Sequence, residues 1–408
     1  MMRVSEEPMK PASRSLGIVL CVALALTAAR WAVEGGPARQ TPSSGAYVGH
    51  ENDADIKGLI RRYPGAAGTR LDDCQTCHRG GIKGTDTEHE YSPCGYCHLL
   101  VFPNARYSTG VPRAAADTLN GYGLAYKNAG RDAAAFAAID GLDSDGDGSA
   151  NGAEIADLRN PGDAASRPGL PQAATIGLGW DDIRKLPVHR QFMLMNTTKE
   201  PTDDYVLFTG ARVVDLLAAA KVHLPGVTGV TVFAPDGYSI DYSVADIDAP
   251  FPRGVFYAEP GAFEGSERAF VKYPAELPRG LRDRRPIPGE PWLLLAYERN
   301  GRPLEPSSYE KGTGRLAGEG PFRLVKPQRD LGGDPKRPGR PDRSQKSKIF
   351  GDGWDFVTAI DHNAGACIRG ACVIRVNPMP EGYEEYDWKN GWPLIGDRKI
   401  VIFGRGIR

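Results

Sequence analysis

The order of apolar and polar positions in the second half of the chain predicts short β-strands more than long helices. The segment Val230–Tyr242 has two apolar runs around a glycine-containing turn, which predicts a β-hairpin. Further strands are predicted at Trp292–Tyr297, Phe322–Val325, Phe356–Ile360, Cys372–Val376 and Lys399–Phe403. Helical spacing is limited to short stretches such as Arg131–Ile139 and Arg212–Val222. Residues 176–408 are therefore predicted to form a mixed α+β, mostly β domain.

The first residues have the pattern of a secretory signal. Lys10 and Arg14 precede the apolar run Leu16–Ala29, and small residues at the end of that run suit a signal peptidase. We therefore expect residues 1–29 to be a signal peptide and the chain to be exported, to the periplasm or the cell surface. The run is short for a bilayer span, so an uncleaved anchor is the less favoured alternative.

The region between the signal and the β-rich domain divides into four predicted parts. Residues 30–46 are rich in Gly, Pro and Ser and predict a flexible leader. Residues 47–112 form the next part, in which the segment Arg79–Pro93 lacks apolar periodicity, and residues 113–165 combine helical patterns with an acidic loop. A Pro/Gly-containing linker is expected at 166–175. The predicted fold class is thus multidomain, with a small loop-rich and α-helical domain followed by the α+β domain.

The motif Cys-x-x-Cys-His occurs twice in residues 47–112. Cys74, Cys77 and His78 form the first copy, and Cys94, Cys97 and His98 form the second. This spacing is typical of c-type haem attachment, in which the two thiols form thioethers and the adjacent His binds the iron. The sequence therefore predicts two covalent haem c groups.

The same four cysteines also fit a zinc site, because sixteen residues separate the two Cys-x-x-Cys pairs. Haem is favoured because a zinc knuckle does not need a His after its second Cys, yet both pairs have one. Export also favours haem, since thiolate clusters are less stable in an oxidising compartment.

Each haem iron requires a sixth ligand unless it has an open position. His50 and His89 are the other two histidines in this region, and their number matches the number of haems. We expect them to be the distal ligands, which predicts bis-His haems of low potential. A haem that lacks its distal His would instead be a candidate catalytic site.

The acidic loop matches the twelve-residue calcium loop of EF-hands position by position. Its predicted ligands are Asp143, Asp145, Asp147, Ser149 through its carbonyl, Asn151 and Glu154. Oxygen-only ligands suit Ca²⁺, and Gly148 stands where the loop turns sharply. The alternative is an Asp/Gly-rich turn that binds no ion.

Composition bears on the class of partner and on the cysteines outside the haem motifs. The chain has 408 residues and a formal net charge of −1, which does not favour nucleic acid as a partner. Of its seven cysteines, Cys367 and Cys372 remain outside the signal and the haem motifs, and a local disulfide is the simplest expectation. Free thiols are the alternative.

The segment Lys326–Lys348 has eight basic and three acidic residues, so it is either a solvated surface loop or a docking patch for an anionic redox partner.

Two family resemblances follow from these motifs. The first 170 residues resemble small exported multihaem c-type cytochromes that end in a calcium loop. The later domain resembles the molybdopterin-binding fold of the sulfite oxidase family, in four stretches: Phe208–Leu217, Phe233–Tyr238, Leu295–Leu304 and Gly320–Val325. That family binds molybdenum through a Cys early in the domain, whereas this chain has no Cys between Cys97 and Cys367. We therefore expect no molybdopterin cofactor and no oxidoreductase activity there, but a docking or scaffold domain.

The predicted function is electron transfer by an exported dihaem cytochrome. The expected partners are redox proteins, either other cytochromes or a membrane quinol or terminal reductase system, and self-association is possible. Two alternatives stay open. One is an enzyme with a site in the later domain or at an open haem, and the other is a zinc- and calcium-binding module.

Overall fold

The computed structural model describes a mixed α/β protein with several β-sheets and short helices. The residues it describes are 54–72, 76–78, 119–195, 203–235, 238–256, 258, 271–283, 285–309, 316–327, 333–334, 337–338, 363–387 and 391–407. All of these belong to one compact unit, Gln40–Arg408. The predicted signal, the leader, the second haem motif and the predicted strand Phe356–Ile360 lie outside the described residues.

The helices are short, and most of the longer ones precede the sheets. They are α1 (Ala54–Arg62), α2 (Gly121–Asn128), α3 (Ala133–Ile139), α4 (Asn151–Ala156), α5 (Trp180–Arg184), α6 (Val213–Ala219), α7 (Val244–Ile247) and α8 (Gly391–Gly396), with 3-10 turns at Pro64–Ala66 and Asn363–Ala366. Helix α3 begins at its cap Asp132, whose carboxylate accepts hydrogen bonds from the amides of Ala134 and Ala135.

A five-stranded sheet has the order β1-β17-β16-β4-β5. Its strands are β1 (Thr175–Gly179), β4 (Gly229–Phe233), β5 (Ser239–Ser243), β16 (Val373–Asn377) and β17 (Lys399–Gly404). Strands β16 and β17 are parallel, and the other neighbours are antiparallel. The hairpin of β4 and β5 confirms the predicted one, with Phe233 opposite Ser239.

A six-stranded sheet is built on the path β10-β9-β3-β2, with β13 added on β9 and β7 on β3. Its strands are β2 (Val188–Met195), β3 (Asp203–Arg212), β7 (Val271–Lys272), β9 (Leu294–Arg299), β10 (Arg302–Pro303) and β13 (Arg323–Val325). Small two-stranded pairs complete the fold: β6 (Val255–Phe256) with β8 (Arg285–Pro286), β11 (Ser308–Tyr309) with β12 (Leu316–Ala317), and β14 (Gly333–Asp334) with β15 (Arg337–Pro338).

Among the described residues, the helical part has one apolar core and the β-rich part has several apolar clusters, one of them much larger than the rest. The helical core contains Leu59, Leu71, Tyr122, Phe136 and Ile155, all with at most 2% of their surface exposed. The larger core lies between the two sheets and helix α6, where side chains of both sheets meet. Each part therefore buries its own apolar side chains, which is the main source of folding free energy.

Glu384 joins the helical part to the β-rich part. Its carboxylate, almost fully buried, pairs with Arg70 and lies 3.3 Å from an Arg159 nitrogen. The hydroxyl of Ser166 donates to it at 3.1 Å, and the backbone of Glu384 is hydrogen-bonded to Pro171. The predicted linker at 166–175 is therefore packed against the β-rich part through this carboxylate.

No helix among the described residues is long and apolar enough to cross a membrane. The predicted secretory run, Leu16–Ala29, lies outside the described residues.

Candidate functional site

The acidic loop lies between α3 and α4, at the edge of the helical core. One carboxylate oxygen each from Asp143, Asp145 and Asp147 lies within 4.8 Å of the other two. The loop begins four residues after the end of α3, and Asn151 is the first residue of α4. Three carboxylates this close repel one another in the absence of a cation, so other contacts must hold them together.

Backbone amides hold the carboxylates in this arrangement. Asp143 accepts hydrogen bonds from the amides of Gly146 at 2.7 Å and Gly148 at 2.9 Å, and these bonds lower the pKa of its carboxyl. Asp147 accepts one from the amide of Ser149 at 2.7 Å. Gly148 has a φ of +93°, which allows the sharp turn at this position and disfavours any other residue.

Glu154 projects from α4 towards the same loop and is fully buried. Neither of its carboxylate oxygens has a hydrogen-bond partner, and the same holds for one buried oxygen each of Asp145 and Asp147. Burial, followed by the nearby charges of Asp145 and Asp147, raises the pKa of Glu154 to about 9. Burial and Asp147 likewise raise the pKa of Asp145 to about 7.

These carboxylates fit a bound divalent cation. A buried carboxylate without a partner is costly, and it is stabilised by a cation or by protonation. The four carboxylate groups provide only hard oxygen donors, the type that Ca²⁺ and Mg²⁺ prefer. Residues Asp143, Asp145, Asp147 and Glu154 could thus hold one such ion.

Asn151, predicted as a ligand, makes protein contacts that close the loop. Its side-chain oxygen accepts from the amide of Ser144 at 3.2 Å, and its side-chain nitrogen donates to the carbonyl of Ile139 at 2.7 Å. The backbone amide of Asn151 also donates to Leu142 at 2.8 Å. In this structure Asn151 holds the two ends of the loop together, and the carboxylates face the loop's interior.

The first haem motif is described at Thr76, Cys77 and His78. Cys77 is a partly buried thiol packed against the helical core. Its carbonyl accepts a hydrogen bond from the amide of Asn120 at 3.0 Å, and His78 forms an antiparallel bridge with Leu119. Beside them, the hydroxyl of Tyr122 is buried without a hydrogen-bond partner, and burial raises the pKa of Tyr122.

These contacts fit a covalent haem at the first motif. The Cys77 thiol is not in a disulfide, lies at the margin of an apolar cluster, and is next to a buried hydroxyl that could donate to a bound group. The other predicted haem residues lie outside the described part of the chain: Cys74, Cys94, Cys97, His98, His50 and His89. The described part of the first motif, Cys77 and His78, contacts Leu119 and Asn120 just before α2, and all the haem predictions stay predictions.

The predicted disulfide between Cys367 and Cys372 is not formed. The Cys367 sulfur accepts from the amide of Lys326 at 3.2 Å and lies 3.9 Å from the sulfur of Met195. Cys372, which directly precedes β16, has its sulfur 3.5 Å from the carbonyl of Phe233 in a different apolar cluster. The two thiols pack in separate apolar clusters, although they are only five positions apart in sequence.

Sequence reasoning did not identify Asn120, Gly121 and Gly123, although all three lie between the haem motif and the acidic loop. Asn120 is buried and caps α2 by accepting from the amide of Gly123. Its only sequence signal was its place before a helix, where Asn is a favoured cap.

No protein-family model matches this chain, and no curated protein matches it.

Proposed function

We propose that this chain is an exported dihaem c-type cytochrome that carries electrons between redox partners and contains a structural calcium site. The observation that carries the proposal is the repeated Cys-x-x-Cys-His motif. The packing of Cys77 on the helical core, beside an unpartnered buried hydroxyl, supports it.

The residues have distinct roles in this proposal. Cys74 with Cys77, and Cys94 with Cys97, anchor the two porphyrins through thioether bonds, so the cofactors cannot dissociate. His78 and His98 hold the two irons from one side, and His50 and His89 are the proposed ligands on the other. When bound, each haem supplies an iron that alternates between the ferric and ferrous states. The hydrogen bonds of Asn120 to this segment fix the backbone that carries His78.

The calcium site stabilises the helical part. Asp143, Asp145, Asp147 and Glu154 supply the carboxylate oxygens, and the cation offsets their mutual repulsion. We infer a structural role because the loop has short helices on either side, of seven and six residues, and no second calcium loop occurs in the sequence.

The β-rich part is proposed as a docking or scaffold domain for redox partner proteins. Both of its described cysteines are buried, and Cys367 packs with Met193 and Met195 in the apolar interior. The packed connection through Glu384 would keep a docked partner at a fixed distance from the haems.

Haem and metal analysis of the purified protein tests this proposal. After expression in a host that attaches haem c, we expect two covalent haems per chain, low-spin spectra, calcium and no stoichiometric molybdenum. A high-spin haem or bound molybdenum would instead favour an enzyme. Zinc without a Soret band would favour a zinc-binding module.

Two variants test whether a haem is attached at the first motif. Cys74→Ser combined with Cys77→Ser should reduce the haem content from two to one, whereas Cys367→Ser, a buried thiol far along the chain, should leave both. Equal haem content in the two variants would contradict attachment at the first motif.

A further inference from the structure

Asn120 connects helix α2 to the first haem motif by several hydrogen bonds. Its backbone amide donates to the carbonyl of Cys77 at 3.0 Å, and its side-chain nitrogen donates to the carbonyl of Thr76 at 3.0 Å. Its side-chain oxygen accepts from the amide of Gly123 at 2.8 Å. Asn120 is buried, so these bonds are shielded from competing water.

The first turn of α2 is in direct backbone contact with both neighbours. A β-carbon at Gly123 would collide with the carbonyl oxygen of Cys77, and one at Gly121 would collide with the carbonyl oxygen of Ser144 in the acidic loop. Glycine is thus required at both positions for this close approach. The helix turn is held between the haem motif on one side and the acidic loop on the other.

Ser144 lies between two of the cation-binding residues. Asp143 precedes it and Asp145 follows it, and its amide donates to Asn151 at the far end of the loop. A cation bound by both carboxylates fixes the peptide units of Ser144. Glu154, fully buried and without a hydrogen-bond partner, is an observation separate from the three aspartates that fits a cation bound at the loop.

We propose that cation binding at the acidic loop sets the position of Cys77–His78 through Ser144, Gly121 and Asn120, so that calcium tunes the first haem. Asn120 is then a positioning residue for the proximal ligand segment. This inference rests on the proposed function, because it requires a haem at the first motif. It adds a coupling between two sites, and coupling is reciprocal: calcium shifts the haem potential, and reduction of the haem shifts calcium affinity by the corresponding factor.

The test is a redox titration of the dihaem protein with excess Ca²⁺ and again with a chelator. Couplings between sites are typically about fivefold or more in affinity. A tenfold difference in calcium affinity between the two oxidation states corresponds to a shift of about 59 mV in the potential of one haem. The same titration followed by electron paramagnetic resonance should show one haem signal changing with calcium.

Asn120→Asp is the informative variant. It keeps the oxygen that caps α2 and replaces the nitrogen that donates to Thr76 with an oxygen that, when ionised, cannot donate. We expect it to bind calcium but to lose most of the calcium-dependent shift. The added charge changes the haem potential both with and without calcium. The quantity to compare is therefore the calcium-dependent shift in potential, not the potential itself. Gly121→Ala should also reduce the calcium-dependent shift, because its methyl group would collide with the Ser144 carbonyl in the acidic loop.

The outcomes separate the two proposals. If calorimetry shows calcium binding but the potentials and spectra are the same with and without it, the coupling is wrong and the electron carrier stands. Absence of calcium binding also overturns the coupling. If the calcium-dependent shift persists in Asn120→Asp, the route through Asn120 is wrong. Absence of covalent haem overturns the proposed function itself.

Discussion

At the scale of single residues, Glu154 shows how a buried charge can be both a weakness and a functional requirement. Its carboxylate is fully enclosed, lacks a hydrogen-bond partner and faces other acidic groups. Such a group lowers stability unless a cation is present. The cost of the apo form and the affinity for the ion therefore have the same physical origin.

Glu154→Gln should be at least as stable as the wild type without calcium and less stable than the wild type with calcium. Without calcium the variant should melt at the same or a higher temperature than the wild type, because burial raises the pKa of Glu154 to about 9 and its carboxyl must take up a proton on folding, whereas Gln is always neutral. With calcium at 100 times its Kd the wild type should gain about 2.7 kcal/mol, and the variant far less. Thermal unfolding measures both. Glu276→Gln, which removes an exposed carboxylate in the β-rich part, is the control and should change neither. A calcium response as large as that of the wild type would argue against Glu154 as a ligand.

The two cysteines of the β-rich part provide a second test at this scale. Unfolding in an alkylating reagent without reductant should modify both Cys367 and Cys372, since each sulfur packs in its own cluster. Mass spectrometry of the peptide that contains both reads the result. A peptide that resists modification until it is reduced would show that the disulfide exists.

At the scale of elements, helix α2 depends on close backbone contact more than on helix propensity. Its sequence, Gly-Tyr-Gly-Leu-Ala-Tyr-Lys-Asn, has two glycines, which are unfavourable in a helix by about 1 kcal/mol each relative to Ala. Tertiary packing compensates, because Tyr122 and Tyr126 are buried in the helical core. Tyr126 stacks on Phe136 with ring centroids 4.1 Å apart.

Gly123→Ala should destabilise the protein in spite of its better helix propensity. The added methyl group meets the Cys77 carbonyl, and overpacking of this kind costs about 1–3 kcal/mol. Chemical denaturation gives the change in the free energy of unfolding. Gly65→Ala is a matched control, because nothing lies within 4 Å of a β-carbon there. Equal stability of the two variants would contradict the close contact.

Among the described residues, the predicted strands are those with alternating or β-branched residues, and their bounds differ from the structure by at most two residues. The two longest, β2 and β3, were missed. In β2 the residues Phe192 to Met195 are all buried, so the strand has a continuous apolar run and no alternation. A continuous run does not distinguish a buried strand from other buried elements.

The acidic loop was recognisable from local spacing alone, whereas the role of Asn120 was not. Calcium loops place their ligands within twelve consecutive residues, so the pattern is visible in the sequence. Asn120 contacts Thr76, 44 positions away, and only the folded chain brings them together. The disulfide prediction was wrong for the same reason: spacing along the chain does not reveal the apolar cluster in which each thiol packs.

At the scale of the whole molecule, the helical and β-rich parts are joined by a buried charged cluster. Glu384 faces two arginines from the helical part, Arg70 and Arg159, which are 314 and 225 positions away from it. Long-range ion pairs of this kind contribute little when exposed but matter when buried, because removal of one partner leaves the others uncompensated.

Glu384→Gln should lower the free energy of unfolding by about 3 kcal/mol, since two partly buried arginines, Arg70 and Arg159, lose this buried counter-charge. Urea denaturation measures the loss, and limited proteolysis should show earlier cleavage in 166–175. Glu381→Gln, an exposed carboxylate in the same segment, serves as the comparison and should have little effect. A change below 1 kcal/mol would indicate that the cluster does not hold the two parts together.

The position of β17 in the five-stranded sheet has a consequence for the order of folding during synthesis. It lies between β1 and β16, so β1 has no other strand to pair with in this sheet. Roughly 220 residues separate Gly179 from Lys399, and a ribosome needs on the order of 10–45 s to make them. Throughout that time β1 has no pairing partner in this sheet. The five-stranded sheet therefore cannot reach its native pairing until β17 has been made, whereas the residues of the helical core are available much earlier.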